Sequence, residues 1–199
     1  MFGMGKIFVI MGKSATGKDT IYKKILEESG FKLLEIVGYT TRPRRKGETD
    51  GLEYHFVTEK ELRKLEADGR LIELRCYHTV YGDWYYFTAA DEGIDLKVNN
   101  YIYIVTLAGY EKLCEFFGKD KVVPIYIEVE DKDRLTRAVE RESRQKQPNY
   151  KEVCRRYLAD EADFSEENLE RLGITKRYNN DNFRKCINEI MADMNEIII

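Results

Sequence analysis

The chain has 199 residues, of which 43% are hydrophobic and 12% aromatic, a composition typical of one packed domain rather than of a disordered segment. Its 33 basic and 36 acidic residues leave a net charge of −3, which argues against a long nucleic-acid partner, because such partners usually require a basic excess. No apolar run approaches the ~20 residues of a membrane span, the N-terminus does not resemble a secretory signal, and the four cysteines form no C-x-x-C pair. We therefore expect a cytoplasmic protein with free thiols that binds neither membrane nor nucleic acid.

A phosphate-binding loop is predicted close to the N-terminus. The spacing G-x-x-x-x-G-K runs from Gly12 through Gly17 to Lys18, between an apolar run at 6–11 and a helical pattern at 22–29. In this context backbone N–H groups and the helix N-terminus bind phosphate oxygens, and the lysine reaches the β/γ pair. A glycine-rich strand–helix turn without function would not account for the lysine. The predicted ATP-binding residues here are Gly12, Lys13, Ser14, Ala15, Thr16, Gly17, Lys18, Asp19 and Thr20.

Short β-rich runs occupy residues 34–88 and give this part of the chain a different character. Turn signals at 50–51 and 82–83 divide them. One helix interrupts the runs, and Thr58 with Glu61 predicts a capping box at its start. The pattern indicates an inserted β-rich subdomain.

Strand–helix alternation then resumes. Apolar strands are predicted at 101–106 and 122–129, with a helix at 109–117 between them. Residues 131–172 are highly charged and helical with a break near Pro148, and a final amphipathic helix follows. We expect an α/β fold: a three-layer P-loop core with a parallel sheet, the β-rich insertion and a helical lid.

A second motif lies at residues 39–56, where arginines stand among threonine, glycine and tyrosine residues. A solvated basic loop or an RNA-binding patch would be the simplest interpretations of such a charge run. The segment nevertheless resembles the substrate loop of the guanylate kinases, T-T-R-x-P-R-x-G-E followed by G-x-x-Y-x-F. The matching residues are Thr40, Thr41, Arg42, Arg45, Gly47, Glu48, Gly51, Tyr54 and Phe56, and the proline is displaced to Pro43.

The resemblance implies a site for GMP as phosphoryl acceptor. Arg42, Arg45 and Tyr54 would hold the phosphate, since guanidinium forks match its oxygens. Glu73, in a segment similar to the family's F-I-E, would accept hydrogen bonds from N1–H and the exocyclic amine of guanine. The alternative for Glu73 is an exposed strand residue.

The family's Y-Y-G-T/S segment has two possible registers in this chain. One uses Tyr81 and places Asp83 at the hydroxyl position. The other places Tyr86 on the phosphate and Thr88 on guanine, after a hairpin about four residues longer. We favour the second, because Gly82 and Asp83 are typical turn residues and Thr88 restores the hydroxyl.

Lid arginines are also implied by the resemblance. Arg137 and Arg141 match the family's R-L-x-x-R in spacing, and Arg155 or Arg156 matches a later lid arginine. They would close over the triphosphate and stabilise charge on the transferring phosphoryl group. The predicted catalytic residues are Lys18, Arg42, Arg137, Arg141 and Arg156.

Four other residues receive interpretations of their own. Asn180, in "NDNF", resembles the family's N-D-D-L and would line the adenine pocket. For Arg134 and Arg144 we expect pairing on a solvated helix face. His55 and His78 have no evident metal or nucleophile partners in the sequence, so we expect both to be structural.

The magnesium ligand is the point at which the chain departs from the family. Asp19 replaces the usual Ser or Thr hydroxyl after the loop lysine, while Ile104 and Thr106 replace an acidic D-x-D. We hypothesise that the changes are linked and that Asp19 gives an oxygen ligand to Mg²⁺ or its waters. The alternative is a loop that binds nucleotide poorly.

The sequence therefore predicts an enzyme that uses ATP and Mg²⁺ to convert GMP or dGMP to GDP or dGDP. It would be a single domain, monomer or dimer, with a core at 1–37, 96–137 and 159–199, an acceptor-binding insertion at 38–95 and a lid at 138–158. The alternatives are a same-fold kinase for another nucleoside monophosphate, or a non-catalytic module that binds a phosphorylated peptide.

Overall fold

The structure is a computed structural model that describes residues 5–30, 32–79, 82–90 and 93–198. Its elements, in chain order, are β1 Ile7–Met11, α1 Lys18–Glu28, β2 Leu33–Glu35, β3 Tyr39–Thr40, β4 His55–Phe56, α2 Glu59–Ala67, β5 Leu71–Thr79, β6 Gly82–Ala89, β7 Asn100–Ile104, α3 Leu107–Phe117, β8 Val122–Glu128, α4 Asp131–Ser143, α5 Tyr150–Asp163, α6 Glu166–Leu172, β9 Arg177–Asn179 and α7 Phe183–Ile198. None of these helices is long and apolar enough to cross a bilayer.

A five-stranded parallel sheet, ordered β2-β7-β1-β8-β9, forms the centre of the fold. Every residue of β1 is fully buried because helices cover both faces. Ile7 and Val9 face a cluster that includes α3 and α6, whereas Phe8 and Ile10 face α1 and α7. The predicted α/β three-layer core is confirmed, and the sheet brings the loop after β1 to its carboxyl edge.

A second sheet, ordered β4-β3-β6-β5, forms the insertion. Helix α2 packs Leu62 against Phe87 of this sheet, and its capping box between Thr58 and Glu61 is present as predicted. The predicted turn at Gly82–Asp83 is wrong. Both residues belong to β6 and pair with Thr79 and His78, because the cross-strand pairs continue to the end of a long hairpin. The residues between the two strands, 80–81, lie outside those described.

The charged segment after β8 forms α4, α5 and α6, with the predicted break between α4 and α5. Asn149 caps α5 by accepting a hydrogen bond from the backbone N–H of Glu152 at 3.2 Å. The division into core, insertion and lid at the residues given above stays a prediction.

Candidate active site

The phosphate-binding loop leaves β1 and enters α1 through two positions that require glycine. A Cβ on Gly12 would lie 2.6 Å from the backbone oxygen of Ile127 on β8. Gly17 has φ +86°, and a Cβ there would lie 2.6 Å from Nδ2 of Asn180. Lys18 then begins the helix. The close approach of the β8 backbone therefore explains Gly12, and the left-handed φ together with the Asn180 side chain explains Gly17.

Asn180 holds this loop from the far side. It is buried, and its Nδ2 donates to the backbone oxygen of Thr16 at 2.8 Å. Its Oδ1 is buried without a hydrogen-bond partner among the described residues. Asn180 therefore contacts the predicted ATP-binding loop directly, and its assignment to an adenine pocket stays a prediction.

Two carboxylates of α5 contact the start of the loop. The backbone N–H of Ser14 donates to Oδ2 of Asp160 at 2.7 Å, and Nζ of Lys13 donates to Oε1 of Glu161 at 2.7 Å. The sequence interpretation missed both acids, since nothing in their local pattern points to a loop almost 150 residues earlier in the chain. They tie α5 to the phosphate loop.

Arg134 joins these acids to α4, and the expectation that it lies on a solvated helix face is wrong. Its side chain is 1% exposed and donates to Asp131 at 2.9 Å, to Asp160 at 3.3 Å and to Glu161. The guanidinium also lies 4.4 Å from the centre of the Tyr157 ring. The hydrogen bond from Arg134 to Asp131 holds the pKa of the Asp131 carboxyl below its usual range. Three carboxylates and an aromatic ring explain why a cation is stable in this buried position.

Arg137, Arg141 and Arg156 border one cleft of about 440 Å³ together with the phosphate loop. The other lining residues are Ser14, Ala15, Gly17, Lys18, Asp19 and Thr20. Glu152 orients Arg156, because its carboxylate accepts a hydrogen bond from the Nε of Arg156 at 2.8 Å. Hydrogen bonds from Arg155 and Arg156 lower the pKa of Glu152 to about 2. Three arginines therefore border the same cleft as the phosphate loop and its lysine.

Arg42 is buried at the centre of the insertion. Its Nη atoms donate to both oxygens of Glu48, at 2.8 and 3.0 Å, and its Nε donates to the hydroxyl of Tyr86 at 3.1 Å. Arg42 thereby lowers the pKa of the Glu48 carboxyl. The Tyr54 ring centre lies 5.9 Å from the guanidinium, while the Arg45 side chain is exposed. The structure groups Arg42, Tyr54 and Tyr86 and leaves Arg45 at the rim.

Glu73 and Thr88 lie on the same face as Tyr86. Glu73 is 8% exposed, so it is not the exposed strand residue of the alternative interpretation. The Thr88 hydroxyl donates to Glu73 at 3.3 Å and lies 3.0 Å from the hydroxyl of Tyr103, and burial raises the pKa of Tyr103 to about 12. The geometry places the Tyr86–Thr88 register beside Glu73. In the other register Asp83 lies on the opposite face, and Tyr81 is outside the described residues.

That opposite face holds His78, which does have potential metal-ligand neighbours, contrary to expectation. His78 Nδ1 lies 2.7 Å from Asp83 Oδ1, and ligand atoms of Cys76, His78 and Asp83 all lie within 4.8 Å of one another. All three are exposed and lie on the face of the hairpin opposite Glu73. His55 instead packs against Tyr39, with ring centres 4.6 Å apart, as expected of a structural residue.

Asp19 lies in the first turn of α1, on the cleft of Lys18 and the lid arginines. An exposed carboxylate at this place offers the hard oxygen that Mg²⁺ prefers, so the residue fits a role as ligand. It also suits the helix N-terminus electrostatically. Thr106 caps α3 by accepting from the N–H of Gly109 at 3.2 Å and borders a different cleft, so the geometry offers no support for the link between the two positions.

A glycine loop at the carboxyl edge of a parallel sheet, facing arginines from a helical segment, defines the P-loop α/β class. The sequence model of the family described as guanylate kinase matches residues 4–192. The chain belongs to the guanylate kinase family.

Relatives agree with this assignment. A guanylate kinase from Chlorobaculum tepidum is 32% identical over 139 residues, which are 68% of this chain and 68% of that protein. One from Schizosaccharomyces pombe is 46% identical over 68 residues, 34% of each chain, and one from Campylobacter jejuni is 31% identical over 134 residues, 66% of this chain and 62% of the relative. These last two matches span less than two thirds of the relatives' length. A crystal structure of guanylate kinase from Anaplasma phagocytophilum shares the fold, with TM-score 0.55 and 23% identity over 98% of this chain and 85% of that one.

Proposed function

We propose that this chain transfers the γ-phosphoryl group of ATP to GMP or dGMP, giving ADP and GDP or dGDP. The observation that carries the proposal is the convergence of Lys18 and the phosphate loop with Arg137, Arg141 and Arg156 on one cleft. Family membership supports the same reaction. A phosphopeptide-binding module is not favoured, because such a module would have no use for an intact loop with its lysine.

On the donor side, loop N–H groups and the N-terminus of α1 bind the β-phosphate oxygens, and Lys18 reaches the β/γ pair. Arg137, Arg141 and Arg156 stabilise the charge that develops on the transferring group. The chain needs no covalent intermediate, since fixed positions and neutralised charge lower the barrier of a direct transfer.

On the acceptor side, Arg42, Arg45 and Tyr54 hold the phosphate of GMP, with the Tyr86 hydroxyl beside Arg42. Glu73 accepts from N1–H and the exocyclic amine of guanine, and Thr88 lies next to it. Burial of Glu73 strengthens both hydrogen bonds because it removes competing water.

Mg²⁺ would be held by Asp19 together with phosphate oxygens, and it would neutralise charge between the β- and γ-phosphates. Lys18 and the arginines named above would bind and orient the phosphates. The cytoplasmic location stays a prediction.

A coupled assay of ADP release tests the reaction, with Mg-ATP against GMP, dGMP, AMP, CMP, UMP and dTMP. GMP and dGMP should stimulate release. Lys18→Ala should lower kcat by orders of magnitude. Lys24→Ala is the control, since Lys24 lies on the same helix and pairs with Glu28 at 2.8 Å, away from the cleft. If no monophosphate stimulates ADP release by the wild type, the proposed reaction is wrong. If only AMP, CMP, UMP or dTMP stimulates it, the proposed acceptor is wrong.

A further inference from the structure

Arg75 places a second charged group beside Glu73. Cross-strand pairing puts Glu73 opposite Thr88 and Arg75 opposite Tyr86, so these side chains share one face of the hairpin. An Nη of Arg75 donates to Oε1 of Glu73 at 3.0 Å. A guanidinium and a carboxylate therefore lie side by side in the proposed acceptor site.

The guanidinium of Arg75 is not fully satisfied. Its Nε is buried and has no hydrogen-bond partner within the part of the chain that the structure describes. The residue borders a cleft of about 400 Å³ that is lined by Tyr54, Tyr77, Trp84 and Tyr86. The Arg75 side chain as a whole is 38% exposed, so a ligand in this aromatic cleft can reach the outer N–H groups of its guanidinium, next to the one that Glu73 accepts.

We propose that Arg75 is a specificity-determining residue that donates to O6 of the acceptor's guanine, while Glu73 accepts from N1–H and the 2-amino group. This inference rests on the proposed function and deepens it. The edge of guanine presents an acceptor and two donors in a row, and the Arg75–Glu73 pair presents a donor and two acceptors. Adenine presents a 6-amino donor and an N1 acceptor, which oppose both side chains. The pair therefore reads the whole Watson–Crick edge.

IMP separates the two contributions, because hypoxanthine keeps O6 and N1–H but lacks the 2-amino group. Loss of the Arg75 side chain should weaken the binding of GMP and the binding of IMP by the same factor. Loss of Glu73 should weaken GMP more than IMP, since only GMP offers the amine. The ratio of the two affinities thus tells which side chain reads which atom.

Binding is measured without turnover through the fluorescence of Trp84, the single tryptophan of the chain, which lines the cleft. Wild type, Arg75→Ala, Glu73→Gln and Arg63→Ala are titrated with GMP, IMP and AMP. Arg63 is the matched control because it lies 5.4 Å from the Tyr85 ring, and Tyr85 follows the opposite face of the hairpin.

Arg75→Ala should weaken GMP and IMP each by roughly 10- to 150-fold, the effect of losing a hydrogen bond to a charged group. The ratio of the affinity for GMP to the affinity for IMP should stay constant, and the affinity for AMP should not fall. Arg75→Lys should restore part of the loss, since it keeps the charge but not the fork.

Three results would overturn the inference. If Arg75→Ala lowers the GMP-to-IMP ratio as Glu73→Gln does, Arg75 only positions Glu73. If Arg75→Ala binds all three nucleotides like Arg63→Ala, it reads no atom of the base. If the wild type binds GMP specifically but releases no ADP, the proposed reaction is wrong and the role of Arg75 in reading the base stands. If the wild type releases ADP and Arg75→Ala binds all three nucleotides normally, the reaction stands and the role of Arg75 is wrong. A wild type that binds none of the three removes both.

Discussion

Arg134→Ala should destabilise the protein by roughly 3 kcal/mol. Removing one partner of a buried ion pair costs ~3–5 kcal/mol, because the remaining charge is left without compensation. The lower end applies here, since Asp131 and Glu161 are 50% and 35% exposed and water can reach them after the change. The lost contact with the Tyr157 ring, at 4.4 Å, contributes about 1 kcal/mol of the total.

Urea unfolding followed by far-UV circular dichroism measures this effect. Thermal unfolding followed by the same signal gives a second measure: for a chain of this length each kcal/mol lowers the melting temperature by ~2–4 °C, so we expect a fall of ~6–12 °C. Arg144→Ala is the control, because Arg144 is an exposed arginine at the end of the same helix and its loss should change stability by less than about 0.5 kcal/mol. Equal unfolding midpoints for the two variants would show that the buried cluster does not hold α4 to α5.

The same variant should also affect the donor site. Without Arg134, Asp160 loses its ion pair next to Ser14, and Glu161 keeps only its pair with Lys13, so negative charge increases where the phosphates of ATP are proposed to bind. The KM for ATP should rise more than the KM for GMP, because the repulsion acts at the phosphate loop. An equal rise in both would point to general loosening of the fold instead.

Three further changes test single contacts. Thr58→Ala should cost about 1 kcal/mol in urea unfolding, because it removes the hydroxyl that accepts from the Glu61 backbone N–H at 3.3 Å, while the backbone N–H of residue 58 still donates to Glu61; a loss well under half of that would contradict the capping energy. Arg42 lowers the Glu48 pKa from 4.5, so the stability from this pair is present above that value and lost as pH falls through the lowered pKa. Between about pH 6 and about pH 3.5 the wild type should therefore lose more stability than Glu48→Gln. Parallel plots of unfolding free energy against pH for the two proteins would show that the Arg42–Glu48 pair does not cause the loss. Asp19→Ala should raise the Mg²⁺ concentration for half-maximal activity and improve metal-free ATP binding, whereas unchanged magnesium dependence would remove Asp19 as a ligand.

The features that the sequence predicted well depend on neighbours within a few residues. The apolar run at β1 predicts a buried strand by composition alone, and the Thr58–Glu61 spacing predicts the start of α2. The glycine loop requires a strand before it and a helix after it, and both signals are local. Membership of the family could likewise be predicted, because the substrate-loop motif is long and contiguous.

The features that were missed depend on distant partners. Arg134 is buried by acids 26 and 27 residues away. Its local partner Asp131, three residues earlier, is equally compatible with pairing on a solvated helix face, which is what we expected. The hairpin turn was misplaced because Gly82 and Asp83 have typical turn chemistry, while cross-strand pairing sets the register. Arg75 escaped attention because a single arginine in a strand carries no pattern.

The contacts of Arg42 bear on its proposed role in binding the phosphate of GMP. Four of its five N–H groups already donate within the described structure, to Pro43, to both oxygens of Glu48 and to Tyr86. One N–H remains, so we expect Arg42 to offer the proposed phosphate a fixed charge and a single direct hydrogen bond. The exposed Arg45 must then provide the paired contact that a phosphate prefers. Arg42→Lys would keep the charge but lose the fork that holds Glu48 and Tyr86, which is why it should raise the KM for GMP even though the substitution is formally conservative.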